Sequence, residues 1–152
     1  MKGRALIVFV AVIVATTSIR GQNQQREPDF DRQLQQQAET DKTWRAASDG
    51  LMQMDKITYR SSVGDMDIPA FVFQPLKIRG SKGHPAIVWV HENIRGHLYE
   101  HYIPYIREAT AKGYVVIAPE YRGSIGYGKV FYDAIDYGGN EVDDVVLSLI
   151  HI

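Results

Sequence analysis

Three clusters in this chain carry residue types with the spacing for chemistry. His97-Leu98-Tyr99-Glu100-His101 has the His-x-x-Glu-His order. On a helix that order sets two imidazoles one turn apart with a carboxylate as base, and Glu141 would be the third zinc ligand. Ser124 stands in Arg122-Gly123-Ser124-Ile125-Gly126-Tyr127-Gly128. It fails the Gly-x-Ser-x-Gly nucleophile elbow because Arg122 occupies the place of the first glycine, so it reads as a turn residue that satisfies backbone groups. Arg122 with Asp143 or Asp144 forms the third cluster. A guanidinium fork matches a carboxylate, and the pair reads as a clamp that fixes the loop between them. Gly123, Gly126 and Gly128 permit the unusual backbone angles such a loop needs.

The elements that must position these residues follow from hydrophobic period. Asp55–Ser61 alternates as a half-buried strand, Val63-Gly64-Asp65 is turn material, and Asp67–Pro75 is the returning strand of an antiparallel hairpin. Lys77–Gly83 reads as a polar surface loop. Ala86–Val90 is apolar on both faces, which predicts a strand covered by helices on each side. Leu98, Tyr102, Tyr105, Ile106 and Ala109 recur at helical spacing between His97 and Lys112, where Pro104 predicts a kink or a late start. Gly113 closes that helix, and Tyr114–Pro119 is a second buried strand, completing a βαβ unit. Asn140 is the expected N-cap of a further helix with Val142, Val145, Val146 and Leu149 on its inner face. The fold class is α/β.

Composition fits an exported globular protein. Hydrophobic residues make up 45% and charged residues 23%, which excludes a disordered chain. Lys2 and Arg4 precede the apolar run Ala5–Ala15, which has signal-peptide order and is shorter than the roughly 20 residues of a membrane span. Residues 1–21 are therefore expected to be a signal peptide, leaving no stable membrane anchor after cleavage and a periplasmic or extracellular protein. Residues 22–50 read as a Gln-rich linker or loosely docked helix, with Phe30, Leu34 and Trp44 as its only large apolar residues. Residues 51–152 read as the folded domain. The chain holds no cysteine, which excludes thiol chemistry, and no basic patch interleaved with aromatics, which leaves nucleic-acid binding without support.

The run from Ile57 to Leu147 resembles the N-terminal half of an α/β-hydrolase catalytic domain. Tyr121-Arg122-Gly123-Ser124-x-Gly126-Tyr127-Gly128 followed by Glu141-x-Asp143-Asp144-Val145 is similar to the prolyl-oligopeptidase pattern. His91-Glu92-Asn93-x-Arg95-Gly96 after a buried strand is similar to the dienelactone-hydrolase variant, where other members carry His-Gly-Gly. The resemblance implies a partial α/β-hydrolase fold made of the hairpin, the βαβ unit and the start of a further helix. It implies peptide or ester substrates for a full-length relative, and no cofactor.

It further implies that the loop after the first buried strand donates a backbone N–H to an oxyanion, from Asn93 or else Glu92. An ionised Glu92 aimed inward would oppose that charge, so it is expected to point away, to pair with Arg95, or to contact a resting nucleophile. No Gly-x-Ser-x-Gly occurs in the chain, and no Asp and His follow one. The expectation is an incomplete catalytic domain whose Ala86–Val90 strand has one open edge, inactive by itself and prone to aggregate. The alternatives are a catalytically dead binding protein of the same fold and the zinc peptidase.

Overall fold

The computed structural model describes residues 27–77 and 83–152. The expected signal peptide and most of the expected Lys77–Gly83 loop lie outside the described residues. Helix α1 spans Phe30–Ser48; strands β1 (Met52–Arg60) and β2 (Asp67–Pro75) follow, then β3 (Ala86–Val88). After a single 3-10 turn at Glu100–Tyr102 come α2 (Ile103–Ala111), β4 (Val115–Pro119), α3 (Lys129–Asp133) and α4 (Asn140–Ser148). Among the described residues no helix is long and apolar enough to cross a membrane.

One four-stranded sheet runs in the order β1-β2-β4-β3. The hairpin pairs Met52 with Pro75 and Arg60 with Asp67, β2 continues antiparallel onto β4, and β3 lies parallel to β4 with Ile87 opposite Val116. The period of two sorts β2 into two cores. Phe71 and Phe73 join Trp44, Leu98, Tyr102, Ile106, Val116 and Ala118 on the face covered by α1 and α2. Ile68, Ala70 and Val72 join Tyr59, Ile117 and Phe131 on the other face.

Helix α1 starts where Asp29 accepts the Arg32 N–H at 3.0 Å, and its charge pattern suits a solvated face. The expectation of a linker or a thinly docked helix misjudged its anchor. Trp44 is fully buried, tilted against Phe73 with ring centroids 4.9 Å apart, and donates its indole N–H to the Leu98 carbonyl at 3.0 Å. One large aromatic with a satisfied N–H replaces the apolar stripe the helix lacks.

Three further expectations change on the structure. Residues Ala86–Val90 are not covered on both sides: Ala86 is exposed, Ile87 to Trp89 are half-buried and Val90 is half exposed. The strand is the sheet edge, bonded only to β4, with the Trp89 N–H on the Ile117 carbonyl at 2.8 Å as its last rung. Helix α2 starts late, as Pro104 in its first turn led one to expect, but Tyr105 faces solvent while Leu98, Tyr102 and Ile106 are buried. Helix α4 is rotated from its expected phase. Glu141, Asp144 and Ser148 face inward, whereas Val142, Val146 and Leu149 are each at least half exposed. Its N-cap is Gly139, and the Asn140 N–H donates to Asp136 Oδ1 at 2.8 Å.

Replacing Trp44 by alanine removes both its packing and its hydrogen bond, and is expected to cost ~3–5 kcal/mol in urea denaturation. Leu34→Ala, at a side chain 46% exposed, is expected to stay within about 0.5 kcal/mol.

Candidate functional site

The loop after β3 is fixed from beneath by a buried aromatic pair. His91 is 3% exposed, and its ring stacks on Tyr121 with centroids 4.3 Å apart and planes 15° from parallel. Its Nδ1 lies 3.2 Å from the Tyr121 hydroxyl and its Nε2 lies 3.1 Å from Ser124 Oγ. The serine proton goes to the Tyr121 carbonyl, at 2.6 Å the shortest contact of the group. The Tyr121 hydroxyl, with one proton, faces both Nδ1 and the Asn93 carbonyl, and the contact between Nε2 and Ser124 is compatible with either imidazole tautomer. Burial drives the His91 pKa down to about 4, so the ring is neutral over the physiological range. Burial also pushes the Tyr121 hydroxyl up to about 12, with Glu120 adding to the effect.

Above that pair the chain makes a tight turn. The Asn93 carbonyl accepts the Gly96 N–H at 2.7 Å and lies 3.2 Å from the Tyr121 hydroxyl, and Asn93 Oδ1 accepts the Arg95 N–H at 3.0 Å. A side chain at Gly96 would meet the Asn93 carbonyl oxygen at 2.8 Å, so the close approach requires glycine. All of these contacts use oxygens of Asn93 and none uses its N–H. Glu92 and Asn93 are exposed. Glu92 does not pair with Arg95: its Oε1 sits 3.8 Å from His101 Nε2. Arg95 instead lies 3.6 Å over the Tyr132 ring and donates to the Gly123 and Tyr132 carbonyls, tying the turn to the glycine loop.

Arg122 and Asp144 form the clamp, and Asp143 does not. Arg122 Nε meets Asp144 Oδ2 at 2.8 Å, its Nη2 meets Oδ1 at 2.8 Å, and its main-chain N–H donates to Oδ2 at 3.1 Å. Both side chains are buried, at 4% and 0% exposed, while Asp143 faces solvent. The sequence reading missed two partners. Ser61 Oγ accepts from Arg122 at 2.6 Å and donates to Asp144 at 2.8 Å, and the Tyr59 hydroxyl donates to the Asp144 carbonyl at 2.6 Å. Gly123 and Gly126 adopt φ +94° and +88°, and a Cβ on either would collide at 2.7 Å with Ile135 or Gln37. Gly128 also has positive φ.

Comparison with known proteins agrees with this arrangement. Residues 101–151 match the prolyl oligopeptidase family, Peptidase_S9. That stretch is similar to the prolyl oligopeptidase family. An uncharacterized peptidase of Bacillus subtilis is 34% identical over 100 residues, 62% of this chain and 15% of that relative. Dipeptidyl-peptidase 5 of Aspergillus fumigatus is 37% identical over 84 residues, 53% of this chain and 12% of the relative. The acylaminoacyl peptidase of Pyrococcus horikoshii shares the fold at TM-score 0.58 and 19% identity, over 68% of this chain and 17% of that one. The chain thus spans about a seventh of the length of the curated relatives it matches. The partial α/β-hydrolase fold read from the sequence stands.

The rival chemistries lose their geometry in this structure. His97 lies in a loop and His101 in the 3-10 turn, so His-x-x-Glu-His is not on an α-helix. Glu141 accepts the Gly138 N–H, and among the described residues no three His, Asp or Glu side chains converge as a metal site. Ser124 and His91 sit together as a nucleophile and base would, a pairing that their 33-residue separation hid. Ser124 is nevertheless fully buried, and its proton is held by a main-chain carbonyl. It is a turn residue.

Asp144→Ala leaves a buried guanidinium without its carboxylate and is expected to cost ~3–5 kcal/mol, against less than about 0.5 kcal/mol for Asp143→Ala, by chemical denaturation. His91 supplies a pH prediction. Its folded pKa of about 4 lies below the usual value near 6.5, so the stability it contributes is present above pH 6.5 and is lost as pH falls toward 4. The loss is on the order of 3 kcal/mol. His91→Asn is expected to flatten the denaturation midpoint between pH 6.5 and 4.

Proposed function

We propose that this chain supplies the oxyanion side of an exported serine hydrolase that cleaves peptide or ester bonds through an acyl-enzyme. The observation that carries the reading is the Asn93 turn. Its carbonyl accepts from Gly96 and its amide oxygen from Arg95, and no described contact takes up the N–H of this exposed residue, so we read that N–H as the group a substrate would meet. Negative charge grows on the carbonyl oxygen during acyl transfer, and a fixed N–H stabilises it without reorganising. Glu92 reaches toward His101 and so keeps its carboxylate off that position. The family match and the identity to a peptidase and a dipeptidyl-peptidase support the reaction class. The nucleophile belongs to the part of such enzymes that this chain does not span.

Export rests on Lys2, Arg4 and the apolar run that follows them. A catalytically dead binding protein of the same fold is the second reading. The observation in its favour is that Ser124, the one serine hydroxyl held by an imidazole among the described residues, has its proton committed to the backbone.

The test grafts residues 57–147 into the matching region of the Aspergillus dipeptidyl-peptidase 5. Hydrolysis of a peptide p-nitroanilide is expected to persist, and Asn93→Pro, which deletes the N–H, to lower kcat ~10²–10³-fold with KM nearly unchanged. An unchanged kcat would remove the oxyanion role and leave the binding reading. The chain alone is expected to resist fluorophosphonate labelling and to leave p-nitrophenyl esters intact; label on Ser124 would refute the turn assignment. A reporter fused after residue 26 is expected to reach the periplasm or medium with the leader cleaved, as read by its N-terminal sequence.

A further inference from the structure

Helix α1 is tied to a buried carboxyl through one residue of the loop before α2. Leu98 takes the Trp44 indole N–H on its carbonyl at 3.0 Å and gives its own N–H to Glu120 Oε1 at 2.7 Å. Glu120 directly follows β4 and is 0% exposed. Its other oxygen, Oε2, is buried with no hydrogen-bond partner among the described residues, as are Gln33 Oε1 and Gln37 Oε1 on α1, His97 Nδ1 and Tyr127 Oη. A carboxylate at Glu120 would be a buried charge with a single donor to hold it, which is costly until water reaches it.

The groups that face Glu120 do not supply a second donor. Asp41 of α1 and Lys56 of β1 are bonded to each other at 2.6 Å, and they act on Glu120 in opposite senses. Glu100 of the 3-10 turn accepts the Thr40 hydroxyl of α1 at 2.7 Å. Burial lowers the pKa of His97, beside Leu98, and raises those of Tyr99, Tyr121 and Tyr127, with Glu120 adding to the rise at each tyrosine. These side chains are therefore neutral around Glu120 above pH 6.5. Burial raises Glu120 itself from 4.5 to about 8, so it is a neutral acid at pH 7.

We propose that Glu120 is a pH-operated latch for helix α1: its neutral carboxyl beneath the Leu98 link keeps the helix docked, and its ionisation frees the helix while the sheet stays folded. A carboxyl whose pKa is higher in the docked state stabilises docking fully below the free value of 4.5, and that contribution is lost as pH rises to about 8. Release has a route to the candidate site. Gln37 packs on Gly126, and the neighbouring Ile125 N–H donates to the Gly96 carbonyl at 3.0 Å, in the Asn93 turn. The latch concerns docking and not chemistry, so it stands independently of the hydrolase reading.

The test is amide hydrogen exchange of the full chain, expressed as protection factors for α1 and, as the internal standard, for β2 and β4. Between pH 6.5 and 8 the protection of α1 is expected to fall ~10-fold per pH unit and to level off above pH 8, while β2 and β4 keep theirs. In that window neither His91 nor His97 nor the three tyrosines change charge. Glu120→Gln keeps an acceptor for Leu98 and cannot ionise, and its α1 protection is expected to be flat over the same range. Carbon-13 NMR of the Glu120 carboxyl in the unsubstituted chain needs no variant to fold, and its midpoint is expected near 8. A pH-independent protection of α1 in the unsubstituted chain, a fall shared equally by β2 and β4, a slope retained in Glu120→Gln, or a carboxyl midpoint near the free value would each overturn the proposal.

Discussion

The buried ion pair between Arg122 and Asp144 decides how the rest of this structure is arranged. Removing two charges from water is costly, and the pair stands only because its remaining hydrogen-bonding positions are filled by Ser61, the Val63 carbonyl and the Arg122 main-chain N–H. Ser61 and Val63 belong to the turn between β1 and β2, and Arg122 follows β4. The pair thereby joins the turn of the first hairpin, the exit of β4 and the middle of α4, three regions with no local reason to meet. It also explains the phase of α4. Burying Asp144 at 0% exposure sends Val142 and Val146 outward, because a paired carboxylate cannot be left out of its pocket for the gain of burying two valines.

A second polar core, His91 with Tyr121 and Ser124, transmits that placement to the turn at Asn93. Tyr121 precedes Arg122 in sequence, so the clamp sets the position of the ring on which His91 stacks. The hydroxyl of Tyr121 in turn reaches the Asn93 carbonyl. Arg95 closes the circuit from above by donating to Gly123. The Asn93 turn is thus fixed by buried side chains and not by the exposed loop itself, which is what the proposed oxyanion role would require.

Most of this frame was legible from residue pattern. The limits of β2 and the left-handed Gly113 follow from period and from glycine's tolerance of positive φ, which are local properties. The clamp was legible as a pair of types, but two adjacent aspartates on one helix cannot be distinguished until the helix phase is known. That phase was misjudged because valines outnumber polar residues on the face that faces solvent. Ala86–Val90 was misjudged for a related reason: apolar composition on both faces signals a covered strand only where the covering elements are present. Trp44 shows the converse, since a single residue can dock a helix whose averaged pattern looks solvated. The His91–Ser124 contact and the orphaned amides of Gln33 and Gln37 have no sequence signal, because they join distant segments through groups that turn and helix surfaces carry everywhere.

Val90, Ile94, Tyr137 and Val142 are exposed apolar residues next to the candidate site. Val90, Ile94, Tyr121, Tyr137, Val142 and Val145 line a recess of about 480 Å³, and Ile94 directly follows the Asn93 turn. An N–H beside such a wall acts in a lower effective dielectric than one facing bulk water, which strengthens its attraction for a developing negative charge. Glu141 also lines the recess, where its carboxylate accepts the Gly138 N–H, and Glu92 lies toward His101 on the solvent side. The rotation of α4 imposed by Asp144 therefore has a consequence beyond stability: it supplies valines to the recess beside the Asn93 turn.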